Sequence, residues 1–454
     1  MYTINYKHNR ILYFINLCVE NFVSLLIKSI TTLFPSIIKK TGPLENNRQT
    51  FVNIFGLTGL NALGGCLLLL TQVKLANSLG ANLFGIYSYC LSIGEVGATI
   101  VRYGRNKTMT RDLIQRPERW TFLIVNTFLL SLLNLLLFIV TIVLFHNQLD
   151  INVSWEHMLL IIAPCLISLD FHPAYEAMRL MSWHSIYNLL QKAFFLVAIW
   201  LFIVFVGQPS LLFLGIILFF SWIIILIIQI KEILTTISNS IVDKINIGNI
   251  LSLYRENFVI ALSTLFGVAF GPLLRMVLKQ YTDDASVGIY SAGLQIFLIS
   301  QFIMNQLGRV GNPVMAEIGK EGVSVAKQRN AIGKYILAMM ACTIPFAIPL
   351  VLFPHALTHF FFTDEYASLG TYLPMFAFYL ITLAIGIVFT QYLISKRKDR
   401  IYFALYIGGS ILTIITAYAT IPEWGVMGAV FSLCVPHGLT CIGYAIVSIK
   451  YLHK

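Results

Sequence analysis

From Phe51 to the C-terminus, apolar residues run for about 20 positions at a time, and polar residues gather in the short gaps between the runs. A helix of that length matches the roughly 30 Å hydrocarbon core of a bilayer. Inside that core the backbone finds partners only within the helix itself. The pattern predicts about twelve spans, at 51–73, 84–104, 121–145, 158–178, 185–206, 210–230, 257–279, 286–308, 335–353, 370–392, 401–419 and 427–449. The fold class is therefore an all-α polytopic membrane protein.

The first fifty residues follow a different rule. Residues 11–38 are largely apolar, but Asn16, Glu20, Ser24 and Lys28 recur at every fourth position and would form a polar stripe on a helix. We read 1–50 as a cytoplasmic or interfacial amphipathic segment lying on the membrane. Basic flanks at both ends disfavour the alternative of a thirteenth span, and no small-residue cleavage site marks a signal peptide.

Composition agrees with the pattern, at 57% hydrophobic and 11% charged residues. Charge placement adds orientation. Of the 31 Lys and Arg residues, 26 fall in alternate connections and the two tails, whereas the other side carries only Lys74 and Lys279. Arg102, Lys192 and Arg275 lie inside spans. The positive-inside rule then makes both termini cytoplasmic. It also accounts for the net charge of +11, so no nucleic-acid partner is implied.

The connections on the base-poor side, 146–157, 207–210, 354–369 and 420–426, are too short to hold a catalytic domain, which directs attention to the interior of the bundle. Cys18, Cys66, Cys90, Cys165, Cys342, Cys434 and Cys441 show no metal-ligand spacing. His355 and His359 are one turn apart without a convincing third ligand, so neither a metal nor a cofactor is expected.

An internal repeat divides the chain. Gly85-Ile86-Tyr87-Ser88, followed by Leu91 and Ile93, recurs 203 residues later as Gly288-Ile289-Tyr290-Ser291, followed by Leu294 and Ile296. Gly104-Arg105 and Gly308-Arg309 echo each other at an offset of 204. Six spans separate the copies, so both halves enter the membrane from the same side, as parallel repeats about an axis along the membrane normal. The expected organisation is a first six-helix bundle at 51–230, a cytoplasmic linker at 231–256 and a second bundle with a short tail at 257–454, with a site between two pseudo-symmetric halves.

Several motifs carry a resemblance. Leu75-Ala76-Asn77-Ser78-Leu79-Gly80 through Phe84-Gly85-Ile86-Tyr87-Ser88, then Tyr103-Gly104 and Thr110-Arg111, resemble the opening signature of O-antigen flippases of the Wzx type. These are polysaccharide transporters of the multidrug/oligosaccharidyl-lipid/polysaccharide exporter superfamily. Val287 to Ala292, Pro313, Glu365-Tyr366 and Trp424-Gly425-Val426-Met427-Gly428-Ala429 are similar to later marks of that family, in the same order, so the resemblance spans about 51–449. Two stretches depart from it. The family's tryptophan-rich fourth-span region reads Asp170-Phe171-His172-Pro173-Ala174-Tyr175-Glu176 here, and Thr363-Asp364 stands where a glycine is favoured before Glu365.

The resemblance implies movement of an oligosaccharide, linked through pyrophosphate to a polyprenol, across a bacterial inner membrane by alternating access. It implies no catalytic residue and no cofactor. Further partners would be membrane lipid, H⁺ or Na⁺ as coupling ion, and glycan polymerase machinery. A pyrophosphate needs cationic partners to cross hydrocarbon. Arg275 and Arg102 are the first candidates, and Lys279 and Lys74 at the outer ends of spans 7 and 1 are the next. Snorkelling to the nearer surface is the structural alternative for Arg102 and Lys192, and ordinary interfacial placement for Lys74 and Lys279.

Glu95 shares a helical face with Thr99 and Arg102. Like Asp170, it is a candidate for ion coupling, with a structural partner for a nearby Arg as the alternative. Two competing functions remain at this stage. A small-molecule antiporter of the same superfamily would favour a carboxylate-rich lumen. A membrane polysaccharide polymerase would need catalytic acids outside, for which Asp283, Asp284, Asp364 and Glu365 are the clustered candidates.

Overall fold

The computed structural model describes residues 48–115, 120–149, 154–178, 180–237, 247–319 and 322–452. The amphipathic segment expected at 1–50 lies outside the described residues but for its last three positions, as does the middle of the expected linker. We name the helices α1 (Arg48–Arg102), α2 (Arg105–Gln115), α3 (Trp120–Phe145), α4 (Trp155–Ile167), α5 (His172–Ala177), α6 (Met181–Phe205), α7 (Leu211–Ile237) and α8 (Ile247–Gly267). The second half continues with α9 (Pro272–Tyr281), α10 (Asp284–Ile318), α11 (Val325–Leu352), α12 (Pro354–Phe361), α13 (Leu369–Ser395), α14 (Asp399–Trp424) and α15 (Val426–Leu452).

Among the described residues, ten stretches are long and apolar enough to cross a membrane; counting the two limbs of α1 separately and adding α10 gives twelve legs. The chain is a multi-pass membrane protein. Large apolar side chains such as Leu144, Phe205, Val259 and Phe360 stay exposed around the outside, where lipid takes the place of a protein partner. The end rich in Lys and Arg is called the basic end below.

The chain departs from the separate, continuous spans expected at three places. Spans 1 and 2 are the two limbs of α1, joined without a loop. The backbone bends at Gly80, whose φ of 73° lies in the left-handed region that glycine enters without a Cβ penalty. Span 7 is broken between α8 and α9 by a 3₁₀ turn at Val268–Phe270 and by Gly271, with Pro272 starting the new helix. Proline fits there because the first helical position has no N–H bond to lose.

Span 4 is broken between α4 and α5, and the backbone groups freed by the break are satisfied by side chains, as a low-dielectric setting requires. The Phe171 N–H donates to Gln229 Oε1 at 3.2 Å, and Arg105 Nη2 donates to the carbonyls of Ser168 and Asp170 at 2.8 and 2.6 Å.

The longer repeat is realised in space. Tyr87 and Tyr290 are both buried, as are Ser88 and Ser291, at matching positions of α1 and α10. The Gly104-Arg105 echo is not. Gly104 has a φ of 72° in the turn between α1 and α2, whereas Gly308 lies inside α10 and accepts from Gln391 Nε2 at 2.9 Å. The α10 helix runs on to Ile318, so the second copy has no turn in which a glycine would be needed.

Candidate functional site

At the base-poor end the two halves close on each other through backbone. A Cβ built on Gly85 would sit 1.7 Å from the Asp284 carbonyl oxygen, and one built on Gly288 would sit 2.0 Å from that of Ala81. Each glycine thus meets the carbonyl four residues before the other. The connection between α12 and α13 adds polar links. Asn77 Nδ2 donates to the Phe361 carbonyl at 2.8 Å, and its Oδ1 accepts from Thr363 N–H at 3.1 Å. Tyr366 Oη donates to the Ala76 carbonyl at 3.0 Å, and Glu365 Oε2 accepts from Ala81 N–H at 2.7 Å.

The charged pair lies below this seal. Arg275, on α9 of the second half, approaches Glu95 of α1 at 3.7 Å and donates to Ser92 Oγ at 2.9 Å. Arg275 is 15% exposed and Glu95 44%, so the pair crosses from one half to the other with the carboxylate open to the space beside it. Among the described residues, the buried Nε of Arg275 has no hydrogen-bond partner. Arg102 is two turns farther along the same helix as Glu95, about 10 Å toward the basic end. It is half-buried, and its Nε too is sealed without a hydrogen-bond partner. Glu95 therefore has its ionic partner across the interface, although Arg102 shares its helical face.

The two candidate lysines are not equivalent in space. Lys279 Nζ pairs with Asp284 at 2.9 Å inside the second half. Lys74 Nζ lies 5.9 Å from the centre of the Trp200 ring, on the outward side of the first half where Trp200 is 55% exposed. A ring face attracts a cation through its quadrupole, which supports an interfacial placement of Lys74.

Asp170 belongs to a buried cluster near the basic end. His184 Nε2 is 2.8 Å from its Oδ2, and Arg105 Nη2 is 4.0 Å from its Oδ1. Burial pushes the Arg105 guanidinium down to about 10, a shift the nearby Asp170 charge opposes. Close by, Tyr175 and Tyr187 both donate to Glu232, so the acid of α7 ties α5 to α6.

The four acids considered for an external catalytic site all have structural partners. Asp283 caps α10 by accepting from Ser286 N–H at 2.9 Å, and hydrogen bonds from Ser286 hold its carboxyl below the usual range. Asp284 pairs with Lys279, Asp364 lies 3.3 Å from His359 Nδ1, and Glu365 serves the seal.

A sequence profile described as polysaccharide biosynthesis protein matches residues 51–319. The chain belongs to this family. A capsular polysaccharide biosynthesis protein, CapF of Staphylococcus aureus, is 22% identical over 205 residues, which are 44% of this chain and 52% of that protein. The match therefore spans about half the length of that curated relative. Among solved structures, the lipid II flippase MurJ in an inward closed conformation is similar with a TM-score of 0.69 at 12% identity, covering 87% of each chain. An inward-facing multidrug resistance transporter of the MATE family gives 0.61 at 12% identity, covering 87% of this chain and 94% of its own. This polysaccharide biosynthesis protein thus shares the two-lobed, twelve-helix fold of these two structures.

Sequence reasoning named Arg275 and Glu95 separately and missed their pairing. It also missed Ser92, Asn77 and the seal. The signal for the seal was present in the Glu365-Tyr366 motif and in the two glycines of the repeat.

Proposed function

We propose that this polysaccharide biosynthesis protein is a flippase. It moves a polyprenyl-pyrophosphate-linked oligosaccharide, an O-antigen unit or a related surface glycan, from the cytoplasmic to the outer leaflet of a bacterial inner membrane. The basic end and both termini face the cytoplasm, by the distribution of Lys and Arg. The two bundles, 51–230 and 257–454, rock about the space between them while the polyprenyl tail stays in lipid.

The observation that carries this reading is Arg275, a cation at the junction of the halves directly below the seal. A guanidinium presents a planar fork suited to phosphate oxygens. In this cycle the pyrophosphate competes with Glu95 for Arg275, with Arg102 as the second cation on the route and Lys279 near the outer mouth, while Lys74 beside Trp200 acts at the membrane interface. Binding of H⁺ or Na⁺ at Glu95 would release Arg275 to the substrate. The Asp170–His184 pair is the second candidate for coupling. The delivered lipid is then available to polymerase machinery outside.

The test is leaflet accessibility of a lipid-pyrophosphate-linked oligosaccharide in proteoliposomes, with and without a proton or sodium gradient. Protein-dependent movement supports the flippase. Chain elongation from added donor without movement would turn the reading to a polymerase. Neither, with gradient-driven uptake of an organic cation, would turn it to an antiporter.

A further inference from the structure

A cavity of about 240 Å³ lies within the second half among α13, α14, α15 and the break in span 7. That is smaller than the roughly 300–1,000 Å³ of sites that enclose drug-sized ligands. Its walls are rich in aromatic rings, with Phe270, Tyr379, Tyr402, Tyr406, His437 and Tyr444 lining it, and among the described residues no Asp, Glu, Lys or Arg does.

Tyr402 stacks with Tyr406 at 6.0 Å and with Tyr444 at 5.7 Å between centroids, both with planes 26° apart. His437 packs on Tyr379 at 4.7 Å and meets Phe270 edge-on at 6.0 Å. The buried Tyr444 hydroxyl has no hydrogen-bond partner. Gly267 leaves room for Tyr406, whose Oη would lie 2.6 Å from a Cβ at that position.

We propose that this cavity is a monosaccharide site, which takes the sugar next to the pyrophosphate of the transported lipid. The inference rests on the flippase reading above. A pyranose offers C–H groups of partial positive charge on one face and hydroxyls around its edge. Tyrosine faces attract the first through their quadrupole, while hydroxyl and imidazole groups pair with the second. An organic cation would also favour aromatic faces. The cavity, however, has no carboxylate to balance the charge, so a neutral ring suits it better. Phe270 precedes Arg275 by only five residues, so sugar and pyrophosphate would be held by the two sides of one helix break.

The experiment compares, in proteoliposomes, the movement of polyprenyl pyrophosphate carrying one N-acetylhexosamine with that of the bare lipid. In Tyr406→Ala the ratio of glycosylated to bare rates should fall about tenfold, the upper range for loss of an aromatic contact. Tyr406→Phe should keep the wild-type ratio, which separates stacking from misfolding. An unchanged ratio in Tyr406→Ala overturns the proposal.

If wild-type protein moves neither lipid, it is the flippase reading that fails. The cavity is then decided by saturation-transfer NMR on the detergent-solubilised chain with N-acetylglucosamine and galactose. Transfer to sugar protons in wild type, lost in Tyr406→Ala, upholds the site. No transfer, or transfer only to tetraphenylphosphonium, overturns it.

Discussion

Glu365 Oε2 accepts the backbone N–H of Ala81 at 2.7 Å, so a carboxylate from the second half meets the limb of α1 that begins just past the Gly80 bend of the first. The first N–H groups of a helical segment lack internal partners, and a negative charge there is favoured by the peptide dipoles. One side chain therefore caps a limb of one half only while the two halves are closed at this end.

Removing that cap should loosen the seal. Glu365→Ala is expected to cost the closed state about 0.5–2 kcal/mol, the usual range for a lost helix cap. Spin labels at the exposed positions Asn147 and Glu423, on a background lacking the native cysteines, should report a second, longer distance in the variant. Glu365→Gln retains an acceptor and should show less of it. A single wild-type distance in Glu365→Ala would remove the cap from the gating account.

The glycine contact allows a sharper test. Any side chain at Gly85 or Gly288 enters the space of a backbone carbonyl that cannot retreat without moving a helix. Gly85→Ala and Gly288→Ala should each favour the state open at the base-poor end and reduce glycan movement at least tenfold. Helical content measured by circular dichroism should stay unchanged. Retained transport with an unchanged label distance would show that the helices can separate without loss of function.

At the charged pair, Arg275→Ala should lower lipid-linked glycan movement by tenfold or more, and Arg275→Lys should restore part of it. Lysine keeps the charge but not the planar fork. Glu95→Gln should leave movement measurable and abolish its response to the coupling gradient. If Arg275→Ala, Arg102→Ala and the double variant all match wild type at equal expression, the cationic route is wrong.

The Arg105–Asp170–His184 cluster predicts a loss of stability. Both Arg105 and Asp170 are buried in one network with His184, so removing either side of the pair is expected to cost up to about 3–5 kcal/mol. Asp170→Ala and Arg105→Ala should lower the thermal unfolding temperature strongly in detergent. The double variant should lose less than the sum, because the two share one network. An additive result would mean that Arg105 acts only through the Ser168 and Asp170 carbonyls.

The spans were legible because lipid imposes length and apolarity on each one, and the halves because the Gly-Ile-Tyr-Ser repeat marks equivalent turns. The breaks at Gly271 and Ser168–Phe171 were not, although glycine and proline stand at the first and proline near the second. Such residues also occur in unbroken membrane helices, and only the partners Arg105 and Gln229 show that the freed backbone is satisfied. The pairing of Glu95 with Arg275 was hidden for a different reason. Arg102, seven residues away, was the visible partner, while the actual one lies 180 residues along the chain. Separation along the sequence gives no sign of a contact that forms only when distant helices pack together.

The mutual approach of Gly85 and Gly288 has the geometry of an isologous interface, in which one surface patch meets a copy of itself. In a symmetric pair of separate chains, one glycine codon would have served both sides of the contact. Within a single chain the same contact sets two separate constraints, one at each glycine. Yet neither half can gain a side chain at this position while the other helix stays where it is. The two positions can thus mutate separately, yet one packing contact holds both to glycine.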